Sequence, residues 1–148
     1  MNLTASQPTP PRWVELSQFA DERGVLTSIE TGVDVPFSVQ RVFFISDASG
    51  DRGNHAHRET SQLLVAVSGD FTVDVSTGGA TTEYVMSSRA RGLLLPPMTW
   101  VRLHSFSVDA VCLVLADRSY AESAYIRDWD EFTREAAANR RETTTSPR

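Results

Sequence analysis

The sequence has little that would stabilise or anchor the chain by means other than an ordinary hydrophobic core. One cysteine in 148 residues, Cys112, excludes an internal disulfide and a Cys-x-x-Cys motif. It lies in an apolar run, residues 110–115, and we expect it to be a core residue. No apolar stretch is long enough to span a bilayer, and the first residues lack the pattern of a signal peptide. We therefore expect a cytoplasmic protein.

Lysine is absent, and all fourteen basic residues are arginine. The chain therefore has no lysine to form a Schiff base, and it must recognise anions through arginine and backbone amides. The net charge of −5 and the isoelectric point near 5.1 argue against binding to nucleic acid or to an anionic membrane. The composition as a whole is that of an ordinary globular protein.

One domain accounts for the chain between two predicted tails. Residues 1–11 contain three prolines and no apolar periodicity, and residues 140–148 are polar, so we expect both segments to be flexible. The remaining residues, 12–139, are enough for one domain. A chain of this length buries about 70% of its unfolded surface without a disulfide or metal.

Short β-type segments separated by turns predict an all-β sandwich or barrel. They cover residues 39–45, 61–68, 71–76, 81–86 and 110–116. Gly69-Asp70 predicts a two-residue hairpin between the strands on either side of it. Helical periodicity is confined to residues 128–139.

The stretch with the clearest chemical content is Arg52-Gly53-Asn54-His55-Ala56-His57, followed by Gln62 and Gly69. His55 and His57 are two apart, so on a strand they point to the same face. Gln62 begins the next strand and can face the same volume. Histidine suits general base catalysis because its ordinary pKa is near 6.5. A purely structural pair and a metal site remain alternatives at this point.

This spacing resembles the first motif of the cupin superfamily. The resemblance implies a cupin-type double-stranded β-helix, a jelly-roll barrel, with a short C-terminal helix. In metal-binding cupins the position of Gln62 is usually glutamate, and a second motif supplies a further histidine. The counterpart of that second motif here, residues 92–101, contains no histidine.

A longer resemblance links Arg-Gly-x-His-Ala-His with Tyr125-Ile126-Arg127-Asp128 and spans residues 13–132. Together these motifs resemble the WxcM-like sugar 3,4-ketoisomerases, which act on dTDP-4-keto-6-deoxyglucose. Phe43-Phe44 stand where that family commonly has two tyrosines, so Tyr125 and Tyr120 are candidate replacements. The matching segments are residues 21–24, 36–37, 41–45, 52–57, 97–100, 106–107, 114–116 and 125–132.

The resemblance implies an isomerase that moves a ketone from carbon 4 to carbon 3 through an enediolate, with no metal and no other cofactor. His55 is the expected base, and His57 is expected to relay the proton. The expected partners are a dTDP-linked keto-sugar and a second copy of the chain. Substrate-binding candidates are the arginines that suit a diphosphate and the polar or aromatic residues near the histidines. They are Arg41, Arg52, Arg58, Gln62, Trp100, Arg102 and His104.

Three other functions remain open on the sequence. A dTDP-keto-sugar 3,5-epimerase would begin with the same proton abstraction beside the ketone. A metal-dependent cupin oxygenase would need His55, His57 and His104 with a carboxylate. A binding module would hold a sugar nucleotide without turning it over. Arg127 is expected to pair with Asp128 or Glu131.

Overall fold

The computed structural model describes residues 9–144, and these residues form twelve β-strands and one α-helix. Each strand is short, as the sequence predicts. The strands are β1 Arg12–Glu15, β2 Ser17–Asp21, β3 Gly24–Ser28, β4 Arg41–Ser46, β5 Arg52–His57, β6 Gln62–Ser68, β7 Phe71–Ser76, β8 Thr81–Met86, β9 Arg91–Leu95, β10 Trp100–His104, β11 Val111–Ala116 and β12 Tyr125–Ile126. The helix α1 is Trp129–Thr144, and a 3₁₀ turn, Glu122–Ala124, precedes β12.

Two five-stranded antiparallel sheets pack face to face and enclose the main core. Their strand orders are β1-β9-β6-β11-β4 and β12-β5-β10-β7-β8. The alternation of side chains along β7 explains why one face of the sheet meets the core. Phe71, Val73 and Val75 are buried, while Thr72 and Asp74 between them are only partly buried. The all-β jelly-roll fold expected from the sequence is therefore confirmed.

The prediction of a β-hairpin at Gly69-Asp70 is wrong, because the strands on either side of this turn do not pair with each other. The strand before it, β6, lies in the first sheet between β9 and β11, and the strand after it, β7, lies in the second sheet between β10 and β8. Both hydrogen-bonding edges of β6 are therefore already occupied. Gly69 keeps its role as a turn residue, with φ of +63°, but the turn carries the chain from one sheet to the other.

Helix α1 covers the outer face of the second sheet. Its buried residues Phe132 and Ala136 pack against Ala56 of β5 and Ile126 of β12. Residues 140–144, predicted to belong to a C-terminal tail, are the last turn of this helix, while residues 1–8 and 145–148 of the predicted tails lie outside the described residues. Within residues 9–144, no helix combines the length and the apolar character needed to cross a membrane.

Three strands expose large apolar side chains: the separate pair β2 and β3, and β4 at the edge of the first sheet. The separate hairpin formed by β2 and β3 exposes Phe19, Val25 and Leu26, each by more than half of its surface. The outer face of β4 exposes Val42 and Phe44 in the same way. Solvent-exposed apolar side chains grouped on strands are typical of surfaces that contact another protein.

Candidate active site

An irregularity in β5 places the first histidine. Val101 of β10 pairs with His55, and Arg102 pairs with Gly53, so Asn54 is left unpaired as a β-bulge. Gly53 and Asn54 both have positive φ, +86° and +58°. A Cβ on Gly53 would lie 2.9 Å from the carbonyl oxygen of Val101, so only glycine fits here. The Arg-Gly-x-His pattern thus encodes the bulge that directs His55.

Both histidines face a cavity of about 430 Å³ between the two sheets. Apolar side chains from the core form one part of its wall, and arginines and amides form another. The lining residues that come from the core are Leu64, Leu95, Val101, Leu103 and Val114. A cavity of this size, with convergent polar groups on an apolar wall, suits a small-molecule ligand.

Three aromatic rings meet at one end of the cavity. The ring centroids of His55 and His57 are 5.1 Å apart, with the planes at 85°. The Tyr125 ring centroid lies 4.3 Å from that of His57 and 5.0 Å from that of His55. His57 is buried and His55 is half-buried. Nδ1 of His55 is buried without a hydrogen-bond partner in the part of the chain described.

Both imidazoles are held in their neutral form. Burial lowers the pKa of His57 to about 4, and the charges of His55, Arg41 and Arg127 act in the same direction. Burial also lowers the pKa of His55, followed by the charge of Arg127, while the Gly53 carbonyl and Glu122 oppose the shift. Neutral imidazoles at pH 7 can accept a proton, which is what a general base requires.

Five of the predicted site residues lie together around this cavity: His55, His57, Gln62, Arg41 and Arg52. Gln62 is buried, as is expected for a side chain in the wall between the sheets. The Arg41 guanidinium lies 4.4 Å above the Phe43 ring centroid. Among the side chains that the structure describes, no carboxylate forms an ion pair with Arg41 or Arg52, so both guanidinium groups are available to an anionic ligand.

Arg58, the sixth candidate, lies at an adjoining cavity and faces the helix. Its guanidinium donates hydrogen bonds to Glu131 and Glu135 of α1 and to the backbone carbonyl of Tyr125. These contacts hold β12 and α1 against the barrel. Arg58 therefore does not line the 430 Å³ cavity, but it lines the adjoining cavity together with His57 and Arg41.

Trp100, Arg102 and His104, which the sequence offered as substrate-binding candidates, do not line this cavity. They share one face of β10, as their spacing predicts, but Val101 and Leu103 face the interior instead. Alternation determines which side chains share a face, and the bulge and the core determine which face points inward.

On the outer face these three side chains have other contacts. Trp100 packs against Trp129 of α1 with ring centroids 5.3 Å apart. Arg102 pairs with Asp51 and Asp74, and Nε2 of His104 lies 3.1 Å from an oxygen of Asp74. His104 therefore cannot join the pair of histidines as a third metal ligand. Among residues 9–144, the ligand atoms of those two histidines form no group of three or more with other metal-ligating side chains.

Arg127 is a cavity residue that the sequence reasoning missed. It pairs with Glu122 at 2.7 Å, rather than with Asp128 or Glu131, and its guanidinium lies 4.5 Å above the Tyr125 ring centroid. Arg127 and the hydroxyl of Tyr120 hold the pKa of Glu122 down to about 2. The available signal was the spacing, because residues 125 and 127 share a face of an extended segment.

Comparison with known proteins identifies the family of this chain. A family model described as FdtA, WxcM-like, C-terminal, matches residues 9–137. The chain belongs to the FdtA family. The resemblance inferred from the sequence motifs is thereby confirmed.

Relatives of this FdtA-family chain cover nearly all of the described fold. It is 39% identical over 121 residues to the TDP-4-oxo-6-deoxy-alpha-D-glucose-3,4-oxoisomerase of Aneurinibacillus thermoaerophilus, covering 80% of this chain and 87% of that one. A 3,4-ketoisomerase from Helicobacter canadensis is 31% identical, with a TM-score of 0.83 and coverage of 86% and 97%. A histidine-to-asparagine variant of the 3,4-ketoisomerase QdtA from Thermoanaerobacterium thermosaccharolyticum, in complex with TDP-4-keto-6-deoxyglucose, is 28% identical, with a TM-score of 0.84 and coverage of 86% and 94%.

Proposed function

We propose that this FdtA-family chain is a 3,4-ketoisomerase that moves the ketone of dTDP-4-keto-6-deoxyglucose from carbon 4 to carbon 3. The oxoisomerase and ketoisomerase relatives support the reaction class and the kind of substrate. The observation that carries the proposal is the pair of neutral imidazoles, His55 and His57, side by side in one cavity.

The chemistry follows from the acidity of a proton next to a ketone. A base removes the proton from carbon 3, an enediolate forms, and a proton is delivered to carbon 4. We assign the base to His55 because this residue is half-buried and so more accessible than the buried His57. His57, in contact with it, relays the proton. A positioned base of this kind contributes about 10²–10⁴-fold to the rate.

Two arginines are assigned to the substrate's diphosphate. Arg41 and Arg52 both line the cavity, and a guanidinium can bind phosphate oxygens through two parallel hydrogen bonds. Gln62 lines the same cavity, and we assign its amide to a hydrogen bond with the sugar or a histidine ring. Replacement of either arginine by glutamine should therefore raise KM more than it lowers kcat.

The direct test is a product assay by NMR in deuterated water. The wild-type chain should move the ketone to carbon 3, and His55→Asn should lower the rate by at least about 100-fold. The matched control is His104→Asn, which makes the same change on the opposite face of the sheet. Deuterium at carbon 5 without movement of the ketone would indicate 3,5-epimerisation. Binding without any turnover, unaffected by His55→Asn, would indicate a binding module.

We also propose a homodimer that buries the exposed apolar side chains of β2, β3 and β4. The candidates for its interface are Phe19, Val25, Leu26, Val42 and Phe44, all of which are more than half exposed in the single chain. Sedimentation equilibrium should give twice the chain mass, and Leu26→Asp should shift the population to monomer. A monomeric wild-type protein at micromolar concentration would refute this assembly.

We also propose that the protein is located in the cytoplasm, because sugar nucleotides are supplied there.

A further inference from the structure

Movement of a ketone between neighbouring carbons requires two proton transfers at oxygen as well as two at carbon. The imidazoles account for the transfers at carbon. Both imidazoles are neutral and act as bases. Phe43 lines the cavity where the family commonly has a tyrosine, and it has no hydroxyl that could donate a proton. Among the described residues that line the cavity, Tyr125 alone carries a hydroxyl group. This inference rests on the proposed function and names a further residue for it.

We infer that Tyr125 is the acid that transfers protons between the two substrate oxygens. Its position follows from the strand pairing, in which Tyr125 of β12 lies directly across from His57 of β5. The tyrosine ring contacts both imidazoles, so substrate atoms that reach the histidines also lie beside this ring. No side chain or backbone group that the structure describes forms a hydrogen bond with the Tyr125 hydroxyl, whereas the hydroxyl of Tyr120 donates to Glu122.

The backbone of Tyr125 is firmly held. The guanidinium of Arg58 donates to the Tyr125 carbonyl at 3.1 Å, and the Arg58 amide donates to the Ala124 carbonyl at 2.9 Å. The next residue, Ile126, is buried among side chains of β5 and α1. The guanidinium of Arg127 lies over the Tyr125 ring, 4.5 Å from its centroid. A proton donor held on a rigid element meets the geometric requirement for general acid catalysis.

The protons balance over one cycle. The base takes the proton from carbon 3, the electron pair forms the carbon 3–carbon 4 double bond, and the ketone oxygen on carbon 4 takes the Tyr125 proton. The phenolate then takes the proton from the hydroxyl on carbon 3, where the new carbonyl forms, and the imidazolium delivers its proton to carbon 4. Tyrosine and histidine return to their starting states, and no oxidant, reductant or co-reactant is needed.

The test is Tyr125→Phe, assayed by NMR in deuterated water for ketone movement and for deuterium uptake at carbon 3. Ketone movement should fall by at least about 100-fold. Deuterium uptake at carbon 3 should fall less, because the histidine still removes that proton but the oxygen transfer is blocked. The ratio of uptake to ketone movement should therefore rise. The control is Tyr84→Phe, the same change in a tyrosine that packs against Trp13.

Each result decides between support and refutation. Ketone movement within about threefold of wild type, or an equal loss of movement and uptake, overturns the role of Tyr125 and leaves the proposed function intact. A wild-type protein that moves no ketone overturns both. If Tyr125→Phe no longer binds dTDP, a chain with 3-fluorotyrosine at position 125 decides instead, because its more acidic phenol should move the alkaline limb of kcat to lower pH. An unchanged limb refutes the proposal.

Discussion

Acidification is the perturbation that tests the electrostatics of the site most directly, because the histidines act as bases only when neutral. The pKa of His57 is about 4 rather than 6.5. At pH 6.5 about 0.3% of His57 would then be protonated, against half of an unperturbed histidine. The shift corresponds to at most about 3 kcal/mol between the two protonation states, because solvent in the cavity screens part of the penalty.

The assay is kcat/KM for ketone movement between pH 5 and pH 8 at constant ionic strength. Because the pKa values of both His55 and His57 are lowered, the midpoint of the acid limb of kcat/KM should lie below pH 6.5. Arg127→Gln removes a charge that lowers the pKa values of both histidines, so the acid limb should shift to higher pH. Its midpoint should still lie below pH 6.5, because burial is the larger cause of the shift. Arg134→Gln, an exposed change on α1, is the control.

The same shift predicts how folding stability depends on pH. Between pH 6.5 and about 4 the unfolded chain binds a proton at His57 that the folded chain does not, so the free energy of unfolding falls as the pH falls. Above pH 6.5 the contribution of His57 to the free energy of unfolding is constant.

Two kinetic results would refute this account of the site. One is an acid limb of kcat/KM with its midpoint at or above pH 6.5, and the other is a shift of that limb to lower pH in Arg127→Gln.

Three structural predictions concern the support of the site. Phe132→Ala should lower the free energy of unfolding by about 3–5 kcal/mol in urea denaturation, because the ring is fully buried between α1 and the sheet; a loss below 1 kcal/mol would contradict this packing. Arg58→Met should lower kcat with little effect on KM, because Glu131 and Glu135 lose the group that holds β12 in place; an unchanged kcat would contradict it. Gly69→Ala should lower the melting temperature, because φ is +63° and a Cβ would lie 2.7 Å from Cα of Ala110; an unchanged melting temperature in scanning calorimetry would contradict it.

Local signals in the sequence predicted the fold class and the centre of the site. The period-two pattern of residues 71–76 reappears as β7, and residues 81–86 reappear as β8, because alternation is a property of the strand itself. The His-x-His spacing brought both imidazoles to one cavity for the same reason. The glycine of Arg-Gly-x-His is explained locally as well, since Gly53 has positive φ and touches the neighbouring strand.

The pairing of strands distant in sequence decided the rest. Gly69-Asp70 marks a turn, but the neighbours of β6 and β7 are strands elsewhere in the chain, so only the folded barrel determines that this turn joins two sheets. Trp100, Arg102 and His104 share a face by alternation, yet period two does not determine which face meets the core. Arg127 and Tyr125 reach the histidines because β12 pairs with β5. This pairing places Tyr125 opposite His57, 68 residues earlier in the chain, and no local pattern encodes such a contact.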